Sequence, residues 1–276
     1  MNKEEIILEI KKTKKYKDIS EDIITKETEN YFRRNPSWRD HKCKFIIKEI
    51  KARLHDIHGS YQTNNKANKK KKYLEELKNN LGNLNIINKL LKTNRSSTER
   101  LEFYKQLYEK LFEITGKPNS ISDLGCGLNP ISVVYMPVYI NLNNLTYYSY
   151  DINEEDNNII NEFFKIKRIN GKSFVLDCSS VENLRKIPNA DVCFMFKFID
   201  TIENNEKGHK LAENIIKYLF ENDKCKFIVA SFATSTIGGA RMNFANRGWI
   251  ERMLERVGFG FKKLEFKNEV FYIISR

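Results

Sequence analysis

Through the first third of the chain apolar residues recur at three- and four-residue spacing, and after Pro118 they gather into short runs separated by helical stretches. The first pattern predicts a helix over Glu4–Tyr16 with Ile6, Ile7 and Ile10 on one face, then a second that starts at a Ser20-Glu21-Asp22 cap and ends before Asn35-Pro36. A third pattern begins at Ser37, carries Trp38, Phe45, Ile46, Ile50, Leu54 and Ile57, and stops at Gly59. Four consecutive lysines, Lys69, Lys70, Lys71 and Lys72, read as a solvated loop or helix start, and helical spacing resumes over Leu74–Leu91 and Ser97–Phe112. The second pattern predicts strands at Ser120–Leu124, Thr146–Tyr150, Ser173–Leu176, Asp191–Phe196, Lys226–Phe232, Phe259–Phe266 and Val270–Ser275. Helical segments near Pro130–Met136, Glu154–Lys167, Val181–Lys186, Lys207–Glu221 and Gly248–Val257 lie between them. Strands alternating with helices imply an α/β fold, an open and mostly parallel sheet covered on both faces. Only Lys267-Asn268 separates the last two strands, which predicts a terminal antiparallel hairpin. The expected architecture is therefore a Rossmann-like seven-stranded sheet over residues 118–276, preceded by an all-α domain over residues 1–117.

Charge divides the chain at the same place. Residues 1–117 hold 28 Lys and Arg against 17 Asp and Glu, whereas residues 118–276 hold 20 against 19. A basic region beside a nearly neutral one is the pattern of a polyanion-docking unit joined to a unit with another task, although charge runs also serve as plain solvated faces. The opening MNKEEIILEIKKTKKY is charged throughout, and no apolar run approaches the ~18 residues of a membrane span, so a cytoplasmic protein with no membrane contact is expected. The five cysteines show neither a CxxC pair nor His/Cys ligand spacing, which argues against a metal site or a disulfide framework.

In a doubly wound sheet ligands bind beyond the carboxyl ends of the strands, so the turn after the first strand is where chemistry is sought. That turn reads DLGCGLNP, Asp123 to Pro130. Gly125 and Gly127 permit positive φ and let backbone approach a ligand closely. The spacing is neither GxGxxG nor a Walker loop, which disfavours dinucleotide binding and NTPase chemistry. Asp151 ends the second strand, where a carboxylate accepts ribose hydroxyls, and Asp177 ends the third, within reach of an adenine amino group. Helix capping explains any one strand-end aspartate. Three in series with the glycine turn point to an adenosyl cofactor. After the fourth strand the chain reads FKFIDTIE, without a [DNS]PP[YFW] motif.

These features resemble the class I S-adenosylmethionine-dependent methyltransferases, and DLGCGLNP is similar to the turn of the Arm/Rmt family of aminoglycoside-resistance 16S rRNA methyltransferases. Distant stretches carry the same resemblance: Leu54-His55-Asp56-Ile57-His58-Gly59-Ser60-Tyr61, Ser96-Ser97-Thr98-Glu99-Arg100 with Phe103-Tyr104, Lys197 with Glu203, and Ser231-Phe232 with Ser235 and Gly238-Gly239. Asp200 and Ala233 depart from it, standing where the family usually has proline. The resemblance implies S-adenosyl-L-methionine held by Asp123, Gly125, Gly127, Asn129, Asp151 and Asp177, with Arg100 on the methionine carboxylate. It implies methylation at N7 of a decoding-site guanine of the guanine-1405 type, in 16S rRNA of the 30S subunit, by a monomer. Lys197 and Glu203 become the catalytic pair. Phe198, Ser231, Phe232, Ser235, Arg241, Phe244 and Trp249 become candidates for holding the target base, and Lys69 to Lys72, Arg33, Arg34, Lys51 and Arg53 for docking on phosphates. Guanine N7 bears a lone pair and no proton, so no general base is needed, in keeping with only four histidines. Methylation at another rRNA or tRNA site or on a small molecule, and a non-catalytic RNA-binding factor with this fold, are the competing readings.

Overall fold

The computed structural model describes residues 2–13, 16–17, 19–55, 67–203, 208–235 and 247–276. Arg241, Phe244, Gly238-Gly239 and the stretch Asp56 to Tyr61 lie outside the described residues. Seven helices come first: α1 (Lys3–Lys11), α2 (Glu21–Arg34), α3 (Cys43–Leu54), α4 (Ala67–Asn79), α5 (Leu84–Leu91), α6 (Arg95–Arg100) and α7 (Tyr104–Thr115). The third predicted helix is shorter than its pattern, because Trp38–Asp40 forms a 3-10 turn and the chain is extended at Lys42 before α3 begins. The Leu74–Leu91 pattern breaks in two. Asn83 receives the Asn85 and Ile86 backbone N–H groups on its side chain and starts a new helix there.

The strands are β1 (Ser120–Leu124), β2 (Thr146–Asp151), β3 (Gly171–Val175), β4 (Ala190–Phe196), β5 (Cys225–Ala233), β6 (Gly260–Phe266) and β7 (Glu269–Ser275), in the spatial order β3-β2-β1-β4-β5-β7-β6. The first five run parallel, and β7 lies antiparallel between β5 and β6. Strand order reverses between β1 and β4, and at that switch point a crevice opens beyond the strand ends. Helices α8 (Glu154–Lys167), α9 (Val181–Leu184), α10 (Phe198–Ile202), α11 (Lys210–Glu221) and α12 (Gly248–Val257) complete the layers. Pro130 starts a 3-10 helix, Asn129–Tyr135, in place of the α-helix expected.

The core does not break at residue 117. Leu90, Tyr104, Leu107 and Tyr108, from α5 and α7, pack in one cluster with Ile121 and Phe194 of the sheet and Phe163 of α8. A second cluster, including Met195, Leu219, Ile228 and Leu254, covers the opposite face. Residues Ile6 to Leu54 form a third, small core of their own, tied to the sheet edge where Ser20 N donates to Ile152 O at 3.2 Å and Ile19 bridges Asn153.

Lys70 corrects the reading of the lysine run as four phosphate contacts. It is 4% exposed and forms an ion pair with Asp156 of α8, whereas Lys69, Lys71 and Lys72 are exposed. A run of four on a helix winds through roughly 300°, so one member must turn towards the core. Removing one partner of a buried ion pair strands the other. Lys70→Met is expected to lower unfolding stability by about 3–5 kcal/mol, and Lys70→Met with Asp156→Leu by clearly less, in urea denaturation.

Candidate functional site

The turn after β1 is built by two left-handed glycines and by β2. Gly125 and Gly127 adopt φ of 63° and 51°, and the Gly125 and Cys126 N–H groups both donate to Tyr150 O, at 2.9 and 3.1 Å. The Gly127 N–H donates to Asp151 Oδ2 at 2.8 Å, which locks the turn to the end of β2. A Cβ on Gly125 would stand 2.5 Å from Phe198 Cδ2, and one on Gly127 would stand 2.9 Å from Asn94 Nδ2. The turn is therefore glycine for shape as well as for φ.

A cavity of about 300 Å³ lies against it, lined by Gly125, Gly127, Asp151, Asp177, Arg100 and Lys197 among others. The strand-end glycines and two of the three acids meet there with the two cations, as the adenosyl reading requires. The chemistry of this donor set fits S-adenosylmethionine: glycine backbone to lie under a nucleoside, carboxylates for hydroxyl and amino donors, and a guanidinium for a carboxylate. Helix α2 supplies the facing wall through Ile23, Lys26, Asn30, Arg33 and Arg34, and α3 adds Arg53. Lys26 pairs with Asp177, whose carboxylate also accepts from Ser179. Burial alone would raise the Asp177 pKa, but the Lys26 ammonium and the Ser179 bonds outweigh it and hold the group below its usual value.

Asp123 and Asn129 are placed differently from expectation. Neither lines the cavity, and their exposures are 0% and 1%. Asp123 Oδ2 accepts from Asn129 Nδ2 at 2.9 Å and from Tyr147 OH at 2.8 Å, while Asn129 Oδ1 accepts from Tyr104 OH at 3.1 Å. They form a polar brace beneath the turn rather than a ligand surface. Burial pushes the Asp123 carboxyl up to about 7 against those two hydrogen bonds, and its Oδ1 has no hydrogen-bond partner in the structure.

Behind the cavity wall lies a chain of charges. Arg100 donates from Nε to Glu269 Oε2 at 2.9 Å and from Nη2 to Glu269 Oε1 at 2.7 Å. Lys197 Nζ donates to Glu99 Oε2 at 2.5 Å and lies 3.7 Å from Glu269 Oε2, and Glu99 also accepts from Arg95 at 3.0 Å. Burial opposes charge on Glu99 and on Arg100 alike. The Lys197 and Arg95 partners nonetheless hold the Glu99 pKa down, and Glu269 holds that of Arg100 up. Lys197 itself takes a left-handed φ of 56°, and its N–H donates to Ser231 Oγ at 2.9 Å.

Several expected contacts fall elsewhere. Glu203 does not line the cavity; its Oε1 accepts the Ala212 N–H at 2.5 Å in the first turn of α11, a capping role that answers the unpaired donors of a helix start. Ser231 is fully buried between Lys197 N and Glu269, where it has no base edge to read. Phe232 is likewise enclosed, edge-on to Trp249 and Tyr272, and Trp249 itself stacks on His209 at 3.8 Å. Ser235 Oγ lies 3.5 Å from Asn268 Oδ1, and Lys51 donates to Thr13. Phe198 alone of the described base candidates lines the cavity, with its ring on Gly125. Asp200, where the family pattern has proline, pairs with Arg247 at 3.0 Å. Lys26, Glu99 and Glu269 went unnoticed as site residues. Glu99 stood inside the SSTER segment, whereas nothing in the sequence distinguished Lys26 or Glu269.

Two outcomes follow from the turn and its brace. Gly125→Ala should weaken S-adenosylhomocysteine binding at least tenfold in calorimetry and cost about 1–3 kcal/mol in stability, from strain and the Phe198 clash. Asp123 is protonated in the folded chain at pH values where the unfolded chain, with the ordinary value of 3.8, is ionised. Its contribution to stability therefore falls as pH rises from about 4 to about 7 and is flat above that. Asp123→Asn removes this term, so urea midpoints at pH 4.5 and 7.5 should show the variant gaining on the wild type as pH rises.

Comparison with known proteins agrees with this geometry. The family model described as ribosomal RNA methyltransferase (FmrO) matches residues 13–273. A Proteus mirabilis protein named 16S rRNA (guanine(1405)-N(7))-methyltransferase is 25% identical over 99% of this chain and 97% of its own length. One of the same name from Frankia casuarinae is 23% identical over 83% of this chain and 80% of its own. Among solved structures, the 16S rRNA methyltransferase RmtF in complex with S-adenosyl-L-homocysteine superposes with a TM-score of 0.80 at 20% identity, covering 100% of this chain and 99% of that one. The 16S rRNA methylase RmtB gives 0.73 at 22% identity with the same coverage. With its sheet order, its glycine turn and a match across nearly its whole length, the chain belongs to the FmrO family of ribosomal RNA methyltransferases.

Proposed function

We propose that the protein methylates N7 of a guanine in 16S rRNA with S-adenosyl-L-methionine as donor, at the decoding-site guanine 1405 that its relatives' names specify. The observation that carries this reading is the meeting of Gly125, Gly127, Asp151, Asp177, Arg100 and Lys197 around one cavity at the switch point of the sheet. The cofactor supplies an electrophilic methyl group on a sulfonium. Asp151 is assigned to the ribose hydroxyls and Asp177 to the adenine amino group. Arg100 is assigned to the methionine carboxylate, a planar partner suited to a guanidinium.

Guanine N7 attacks with its own lone pair, so the protein's task is alignment and electrostatics. Among the described residues no histidine lines the cavity, consistent with a reaction that removes no proton. Phe198, which lines the cavity as Phe196 does, is assigned to face an entering base, and unstacking of that base is the step such a platform supports. Lys197, fixed by Glu99 and Ser231, is assigned to positioning rather than proton transfer.

The helical region, residues 1–117, is proposed to dock on the 30S subunit of a cytoplasmic ribosome, the chain acting as a monomer. Arg33 and Arg34 line the cavity and are assigned to a phosphate of the inserted nucleotide, Arg53 being paired with Glu27, while Lys69, Lys71 and Lys72 are turned outward. Among the described residues no helix is long and apolar enough to cross a membrane.

The decisive experiment incubates the protein with 30S subunits and labelled S-adenosylmethionine, then maps the product by borohydride and aniline cleavage. Cleavage at the decoding site is expected. Label without cleavage would overturn the N7 assignment, and label on tRNA alone would overturn the substrate. Charge reversal of Lys69, Lys71 and Lys72 together should weaken 30S binding and reduce the slope of log K against log salt by up to about 3. S-adenosylhomocysteine affinity should stay unchanged in the same variant.

A further inference from the structure

The cavity is lined by six basic side chains and four acidic ones. Lys26 and Arg53 are answered by lining acids, Asp177 and Glu27. Arg100 and Lys197 are not. Their partners, Glu269 and Glu99, stand behind the wall and line nothing. The donor methyl sits on a sulfonium, so on the methyltransferase reading two cations are buried where a third positive charge must bind, and that charge vanishes when the methyl leaves. Unscreened, Arg100 and Lys197 would favour the spent cofactor over the donor.

We propose that Glu269 is a positioning residue that makes this pair of cations compatible with a sulfonium cofactor. It is 0% exposed, grips Arg100 at two atoms, lies 3.7 Å from Lys197 Nζ and accepts from Ser231 Oγ. One carboxylate thereby fixes side chains from α6, from the junction between β4 and α10, and from β5, and cancels positive charge at the cavity wall. It is the first residue of β7, paired in register with Ala233 at the end of β5, so the terminal hairpin delivers it to the site. The antiparallel strand thus gives the catalytic crevice a charge in addition to closing the sheet.

The test compares S-adenosylmethionine with S-adenosylhomocysteine by calorimetry, two ligands that differ by the methyl group and one positive charge. Glu269→Gln keeps the shape and removes the charge, and it should lower the donor's affinity relative to the product's by about three- to tenfold. Lys197→Met leaves the carboxylates in excess and should move the ratio the other way, and the double variant should return it towards the wild-type value. A purely structural Glu269 would weaken both ligands in equal proportion, and that result overturns the proposal, as does an unchanged ratio. If Glu269→Gln does not fold, Lys197→Met decides, since a ratio it leaves unmoved also overturns the idea. Wild-type protein that binds neither ligand would instead sink the methyltransferase reading on which the proposal rests.

Discussion

Arg100 and Glu269 are 169 residues apart in the chain, are 2% and 0% exposed, and meet in a two-point ion pair. That contact fixes where the N-terminal helices stand relative to the sheet. Lys70 with Asp156 repeats the device in the interior, and Lys197 with Glu99 and Lys26 with Asp177 are partly exposed versions of it, each joining the helical third of the chain to a strand end or to α8. A buried ion pair adds little net stability, because desolvation offsets most of its attraction, yet breaking one is expensive. Such pairs act mainly as registration. They leave one low-energy placement of the helices over the crevice, which apolar packing alone would fix less sharply.

The organisation of the sheet was legible because its cause is local. Apolar runs bounded by turns located all seven strands to within two residues at each end, and the two-residue link predicted the hairpin. The glycines of DLGCGLNP were legible for the same reason, since their φ angles belong to the turn itself. Asp123 and Asn129 shared that motif and were assigned to the ligand, yet both face the interior. A motif records which residues a turn requires without separating those that touch the ligand from those that brace the residues that do. Glu269 was invisible for a different reason. Its partners come from α6, the turn after β4, and β5, and no spacing along one chain encodes a meeting of three such places.

The cavity's chemistry agrees with the acceptor. Transfer to a ring nitrogen that carries a lone pair requires no base, and around the cavity Lys26 with Asp177, Arg53 with Glu27 and Lys197 with Glu99 form mutually neutralising pairs. Groups tied in this way are poor proton carriers and good fixed dipoles, which suits a reaction whose demand is alignment while charge migrates from sulfur to base. Burial also pushes the Cys126 thiol, beside the turn, well above its usual range, with Asp151 and Asp123 adding to the effect, so it stays a neutral neighbour and no competing nucleophile.

The same pairing changes what the basic N-terminal third means. Of its 28 lysines and arginines, Lys26, Arg53, Lys70, Arg95 and Arg100 are engaged with acids inside the molecule. Net charge therefore overstates what faces solvent at these positions, and an RNA surface drawn from composition alone would include residues that never reach phosphate. Helix α4 shows the distinction within one run: helical winding turns Lys70 onto Asp156 and leaves Lys69, Lys71 and Lys72 outside. Three outward charges on a helix anchored by the fourth form a rigid basic edge. A disordered lysine tract of equal charge would lose more conformational entropy on docking, so the buried member of the run contributes to binding by holding the other three in place.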